Sequence, residues 1–260
     1  MSRTAEQVTT PGMAGGEAPH APARTLKVRI WRGRDTGRFE NYEVPWRDNQ
    51  TVLDVVTEVQ RHHEPALAYR FACRVGVCGS CAMTVNGMPR WTCRTHVSRV
   101  QNGETLTVEP LRSMRRIKDL VTDMSDFFDK WHRAGGKFDG TATRHTPMAR
   151  IDPESRARSD ADAALQCINC GICHAACDVA AWDDAYVGPA ALNRAWTLMN
   201  DERHADRDGV LAKASGAGGC GSCHTQGSCM KACPMELSPT RSIAGIKRLV
   251  LMDFLNMRQK

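Results

Sequence analysis

Twelve cysteines in 260 residues constrain this chain more than any other feature of its sequence. They fall into three groups: Cys73, Cys78, Cys81 and Cys93; Cys167, Cys170, Cys173 and Cys177; and Cys220, Cys223, Cys229 and Cys233. The N-terminus lacks the apolar stretch of a signal peptide. No apolar run reaches the roughly 18–20 residues of a membrane span. A cytoplasmic chain is therefore expected. Disulfides are rare in that compartment, so thiols in this number read as metal ligands rather than as a disulfide framework.

The stretches between the cysteines predict two kinds of structure. Residues 1–23, rich in Gly, Pro, Ala and Thr, read as a disordered tail. "TLKVRIWR" alternates Leu26, Val28 and Ile30 as a half-buried strand does, and "RFENYEVP" reads as its hairpin partner. "TVLDVVTEVQRHHE" has Leu53, Val56 and Val59 at helical spacing behind Thr51 as N-cap, and Pro65 ends it. His62 and His63 close that helix and are expected to face solvent. "CAMTVNGMPRWTC" reads as a hairpin about Asn86-Gly87, and "TLTVEP" as a further strand. Strands, one helix and a cysteine loop make a small α+β domain. From Met114 onward the pattern is helical. "MRRIKDLVTDMSDFFDKWHRAGG" aligns Ile117, Leu120, Val121, Met124, Phe127 and Phe128 on one helical face, closed by Gly135-Gly136. Gly188-Pro189 and Ser238-Pro239 mark two later helix starts, Ser238 serving as an N-cap. In the last helix Ile243, Ile246, Leu249, Val250 and Phe254 read as a core face.

The spacings specify the metal chemistry. Cys73-x4-Cys78-x2-Cys81, with Cys93 after the hairpin, is the plant-type two-iron ferredoxin spacing. Gly76 and Gly79 let that loop curl and bring backbone N–H groups to the sulfurs. A structural zinc site, the alternative, usually draws on two C-x2-C knuckles; this set has one. Cys167-x2-Cys170-x2-Cys173-x3-Cys177 is the bacterial ferredoxin run, whose fourth cysteine serves the other cluster. From Cys223 the chain reads Cys223-x2-Gln226-x2-Cys229-x3-Cys233-Pro234, with Gln226 where a second cysteine would stand. By the crossover, Cys233 completes a [4Fe-4S] set with Cys167, Cys170 and Cys173. Cys177, Cys223 and Cys229 remain as three ligands, which suit a [3Fe-4S] cluster with Gln226 beside the vacant corner. Cys220 is surplus and reads as a buried free thiol. The formal charge of +6 invites a nucleic-acid reading. Three oxidised clusters with their thiolates would contribute about −2 each, which offsets it, so no nucleic-acid partner is expected.

Three cluster motifs in this order resemble the iron–sulfur subunit of the succinate dehydrogenase and fumarate reductase family. "CRVGVCGSCAMTVNG" is similar to that family's two-iron loop, "IKDLVTDMSDFF" to its connector, and "CINCGICHAAC" and "CHTQGSCMKACP" to its ferredoxin-like half. The resemblance covers residues 25–250. It implies a β-grasp plant-type ferredoxin domain followed by an all-α helical ferredoxin-like domain. The expected divisions are a tail at 1–23, a two-iron domain at 24–112, a connector helix and linker at 113–159, and a helical domain at 160–260. The resemblance also implies a flavoprotein partner with FAD, and a membrane anchor carrying quinone and in many members haem b. The subunit would be peripheral, on the cytoplasmic face of the inner (plasma) membrane, relaying electrons from succinate to quinone or in reverse to fumarate. The chain departs from the family where Asp178 replaces a proline after Cys177, where Gln226 replaces an apolar residue, and where Cys220 replaces an aromatic. Trp182 and His224 match positions near the family's quinone site and are candidates for quinone or anchor contact. His174, inside the cluster run, is a candidate for a supporting contact.

Overall fold

The computed structural model describes residues 24–101 and 105–255, so the expected tail at 1–23 lies outside the described residues. The predicted strands form β1 (Thr25–Gly33), β2 (Gly37–Pro45), β3 (Ala82–Val85), β4 (Met88–Trp91) and β5 (Leu106–Glu109). They assemble in the order β2-β1-β5-β3-β4. β1 and β5 run parallel, and the other neighbours are antiparallel. Helix α1 (Val52–His62) packs on the sheet and begins in a reciprocal cap: the Asp54 amide donates to Thr51 Oγ1 and the Thr51 amide to Asp54 Oδ2. Period-two residues of the strands, Val28, Ile30, Val85 and Val108, meet Val52, Val55, Val56 and Val59 of α1 in one core. His62 and His63 are exposed, as expected. A short helix α2 (Val97–Val100) leads back toward β5.

The expected helix across 114–134 is corrected. Residues 116–122 instead form a small hairpin, β6 (Arg116–Lys118) and β7 (Val121–Thr122), and only Ser125–Arg133 is helical, as α3. The reason is Asp119. Its backbone takes a left-handed φ of 49°. Its buried carboxylate accepts the amides of Gly33 and Ala68, each at 2.9 Å, and pairs with Arg32 Nε at 3.1 Å. The Asp119 amide donates to the Gly33 carbonyl at 2.6 Å, and Leu120 joins the core of the sheet. These long-range bonds outweigh the helical propensity of the segment, which is a weak prior in any case. Phe127 is buried on α3, while Ile117 and Phe128 stay partly exposed.

Beyond it the chain is helical: α4 (Arg156–Ala161), α5 (Ile172–Ala175), α6 (Asp178–Trp182), α7 (Pro189–Asn200), α8 (Arg207–Ser215), α9 (Ser228–Ala232) and α10 (Pro239–Phe254). Pro189 and Pro239 occupy first turns, as the sequence predicts. Ser238 stands at the N-cap, but its hydroxyl donates to Met230 Sδ at 3.3 Å instead of capping α10. α7 is buried nearly throughout, packing Leu192, Trp196 and Leu198 with Ile243 and Ile246 of α10. From α7, Asn193 donates to the Ala163 carbonyl at 3.1 Å, and Thr197 Oγ1 accepts the Ala164 amide at 3.0 Å. These bonds fix the segment that leads into Cys167. No helix among the described residues is long and apolar enough to cross a membrane.

Asp119→Ala leaves two amides without their acceptor and removes one of the three carboxylates around Arg32. A loss on the order of 2–4 kcal/mol is expected from the unsatisfied amides. Arg115→Ala breaks the exposed pair with Asp123, and solvent screening should leave stability nearly unchanged. Thermal melts of the two variants should separate clearly; equal midpoints would refute the anchoring role of Asp119.

Candidate metal centres

The first thiol group closes where the cysteine loop meets the turn after β4. Thr92 donates to the Cys81 carbonyl through both its amide, at 3.2 Å, and its hydroxyl, at 2.8 Å. That double staple holds Cys93 beside Cys81, whose Sγ accepts the Cys93 amide at 3.5 Å. The Cys73 thiol accepts the Val77 amide at 3.4 Å, and Ser80 Oγ donates to Cys78 Sγ at 3.2 Å. Gly76 has a φ of +80°, and a Cβ there would stand 2.8 Å from the Trp91 ring and 3.0 Å from Arg94 Cγ, so the loop can curl this tightly only with glycine. N–H donation from Val77, with Val75 and Cys78 contributing, draws the Cys73 thiol down to about 6. Burial, with the Cys81 thiol next to it, pushes Cys93 up to about 12.

The second and third groups come together in the helical half. Cys167 and Cys170 lie on the loop entering α5, Cys173 is within α5, and Cys233 ends α9. Burial raises the Cys167, Cys170 and Cys173 thiols, Cys170 to about 12, and the proximity of Cys233 raises all three further. Cys177 caps α6, and its thiol neighbours Cys223; Cys229, on α9, neighbours both. Cys177, Cys223 and Cys229 line one small cavity with Tyr186, His224, Gln226 and Thr240. Cys223 Sγ accepts the Thr225 amide at 3.4 Å, and its carbonyl accepts Lys247 Nζ at 2.6 Å. Cys229 Sγ lies 3.5 Å from Thr240 Oγ1. Burial and the nearby thiols raise the Tyr186 hydroxyl, which is aimed at Cys223.

The remaining candidates separate clearly. Cys220 is 3% exposed, packs in the apolar core with Ile243 and Ile246, and is not among the residues lining the three-cysteine cavity. Gln226 is exposed at the mouth of that cavity. Trp182, 64% exposed, lies 5.9 Å from the His224 ring, so these two candidates share one surface. His174 is buried against the edge of Phe127. Burial and the charge of Lys130 lower it to about 4, so it is neutral near pH 7. Ser80, Thr92, Tyr186, Thr240 and Lys247 were not singled out from the sequence. Only Ser80, inside the cysteine loop, carried a positional signal.

N–H groups donate to the sulfurs of Cys73, Cys81 and Cys223, the kind of donor that favours thiolate and tunes an iron–sulfur centre where one is bound.

Comparison with known proteins agrees with this geometry. A 2Fe-2S iron-sulfur cluster binding domain matches residues 25–129, and a 4Fe-4S dicluster domain matches residues 166–238. The chain is 38% identical to a fumarate reductase iron-sulfur subunit of Mycobacterium tuberculosis over 80% of its own length and 84% of the relative's. It is 32% identical to a mitochondrial succinate dehydrogenase [ubiquinone] iron-sulfur subunit of Oryza sativa, over 82% of this chain and 76% of that one. A chain of the Mycobacterium smegmatis Sdh1 complex in the apo form superposes with a TM-score of 0.76 at 28% identity, covering 89% of this chain and 97% of that one.

The thiol environments predict an order of alkylation in the cluster-free chain. At pH 7 Cys73, drawn down to about 6, is mostly thiolate and reacts first with iodoacetamide. Cys93 and Cys170, pushed up to about 12, and Cys173, raised well above its ordinary value by burial, stay protonated and react last. Peptide mass mapping over time reads the order, and uniform labelling would contradict it.

Proposed function

Because the chain belongs to the family of iron–sulfur subunits of succinate dehydrogenases and fumarate reductases, we propose how its residues carry electrons within such a complex. Cys73, Cys78, Cys81 and Cys93 hold a [2Fe-2S] cluster. Cys167, Cys170, Cys173 and Cys233 hold a [4Fe-4S] cluster, and Cys177, Cys223 and Cys229 a [3Fe-4S] cluster. Bound there, the clusters supply a one-electron relay between FAD in the flavoprotein subunit and quinone or haem in the membrane anchor. The exchange of cysteines between the two helical runs supports this assignment most: Cys233 neighbours Cys167, Cys170 and Cys173, and Cys177 neighbours Cys223 and Cys229, with Cys229 also near Cys173 where the two groups adjoin. A zinc-stapled nucleic-acid module, the reading from another class, falls with the family membership.

The chain's own residues hold and tune the thiolates. Amides of Val77, Cys93 and Thr225 donate to sulfur, which favours the charged ligand and raises the potential of the iron it binds. Ser80 does the same for Cys78. Gln226 borders the corner that lacks a fourth thiol, and Cys220 plays no part in ligation. Trp182 and His224 form the contact toward quinone or the anchor. The proposed direction is succinate oxidation. The reverse reading, quinol:fumarate reduction, is favoured by the 38% identity to a subunit named for fumarate reductase. The ratio of succinate:quinone to quinol:fumarate turnover in the purified complex decides between them.

EPR of the purified complex tests the ligand sets. Cys220→Ala should leave all three cluster spectra in place. Cys229→Ala should abolish the near-isotropic signal of an oxidised three-iron cluster while sparing the two-iron spectrum. Loss of that signal in Cys220→Ala would make Cys220 a ligand. Four-iron signals from two sites on reduction would fill the corner beside Gln226.

A further inference from the structure

The loops carrying the first and second thiol groups touch at Gly79. A Cβ at this glycine would stand 2.6 Å from Cys170 Cβ, 2.9 Å from its Cα and 3.4 Å from its amide nitrogen. The obstacle is mostly backbone, so no side-chain rotation relieves it. Cys170 is itself held between two left-handed residues, Asn169 at φ 51° and Gly171 at φ 75°. Gly171 in turn packs against the methyl ends of Met114 and Met124. On the other side, the Gly79 carbonyl accepts the Ala82 amide at 3.1 Å, at the root of β3. A cavity of about 210 Å³ opens beside the contact and is bordered by Cys78, Ser80, Asn169 and Cys170. Both backbones are thus fixed from behind, and only the missing side chain lets them meet.

Backbone conformation alone does not explain the glycine. Gly79 has a φ of +69°, and Gly87, at the β3–β4 turn, has a similar +79°. A Cβ at Gly87 would meet only Arg112 Nη2, at 3.6 Å. The two positions share the same dihedral demand, but only Gly79 has another ligand loop pressed against it.

We propose that Gly79 is a positioning residue whose contact with Cys170 sets the gap between the two-iron and four-iron centres. The proposal rests on the ligand sets given above. With both clusters bound, one electron would leave the two-iron centre for the four-iron centre, and no bond or proton would change place. Electron tunnelling and magnetic dipolar coupling both weaken as this gap widens, so coupling can be read without turnover.

The test uses the intact complex with Gly79→Ala, Gly79→Asn and, as control, Gly87→Asn. Asparagine tolerates left-handed backbone, so Gly79→Asn adds bulk against Cys170 while limiting strain within its own loop. Microwave power saturation of the reduced two-iron signal is measured before and after dithionite reduces the four-iron centre. In the wild type and in Gly87→Asn, the second reduction should speed relaxation of the two-iron signal. In both Gly79 variants, with each cluster's own spectrum unchanged, that enhancement should be partly lost. An undiminished enhancement with intact spectra overturns the proposal. Loss of the two-iron spectrum in both Gly79 variants also overturns it, because Gly79 would then serve the folding of its own loop. Wild-type iron and sulfide contents that do not match the three clusters would overturn the ligand sets and the spacing role together.

Discussion

A thiol buried away from positive charge holds its proton, and this chain buries several such thiols in close groups. Burial raises Cys93, Cys170 and Cys173, and neighbouring thiols raise them further. While protonated, such thiols sit as neutral, apolar groups, and they must release their protons to ligate a metal, so metal binding here would be coupled to proton release. The rest of the structure is arranged around that requirement. The sheet and α1 hold the first thiol group at one edge of their core, where the Thr92 staple brings Cys93 to Cys81. α7 is packed almost wholly by apolar side chains, and it steadies the segment leading to Cys167 through Asn193 and Thr197.

The proposed crossing of ligands would give the helical half its cohesion. Cys177 and Cys233 each end their own run, and each has thiols of the other run as neighbours. Neither run can therefore be displaced without disturbing both proposed clusters. Tyr186 and Thr240 line the last cavity beside Cys177, Cys223 and Cys229, so that cavity depends on α10 as well as on the cysteine loops. The exposed pair Trp182 and His224 lies on the same side of this last group, where the proposed relay ends.

The join between the halves is held by local features of small size. Asp119, buried and turned into a left-handed conformation, ties the connecting hairpin to Gly33, Ala68 and Arg32 of the sheet domain. It also explains why a segment with helical periodicity from Ile117 to Phe128 begins as a hairpin. A periodic apolar pattern reports which residues seek burial, but Leu120 finds it in the sheet core rather than along α3. In the same way, Ser238 stands where an N-cap belongs, yet its hydroxyl turns to Met230, a neighbour set by the packing of α9 against α10.

The strands, α1 with its Thr51 cap, the hairpin at Asn86-Gly87 and the starts of α7 and α10 were all legible in the sequence, because each depends on local alternation, helical spacing or turn chemistry. The proposed grouping of Cys233 with Cys167, Cys170 and Cys173 is likewise a reading of the sequence, since cysteine spacing encodes which thiols a tight loop can present together and which must be lent elsewhere. What only the tertiary structure decided are contacts between segments distant in sequence. These are the anchoring of Asp119, the burial of Cys220 in apolar core away from the last cavity, the approach of Tyr186 to Cys223, and the close contact of Gly79 with Cys170. Each depends on how two backbones approach one another, and no local pattern carries that distance. By itself, the sequence determined which thiols share a short loop, because spacing is local; the packing of the two halves decided what surrounds those thiols, because that depends on how distant backbones approach.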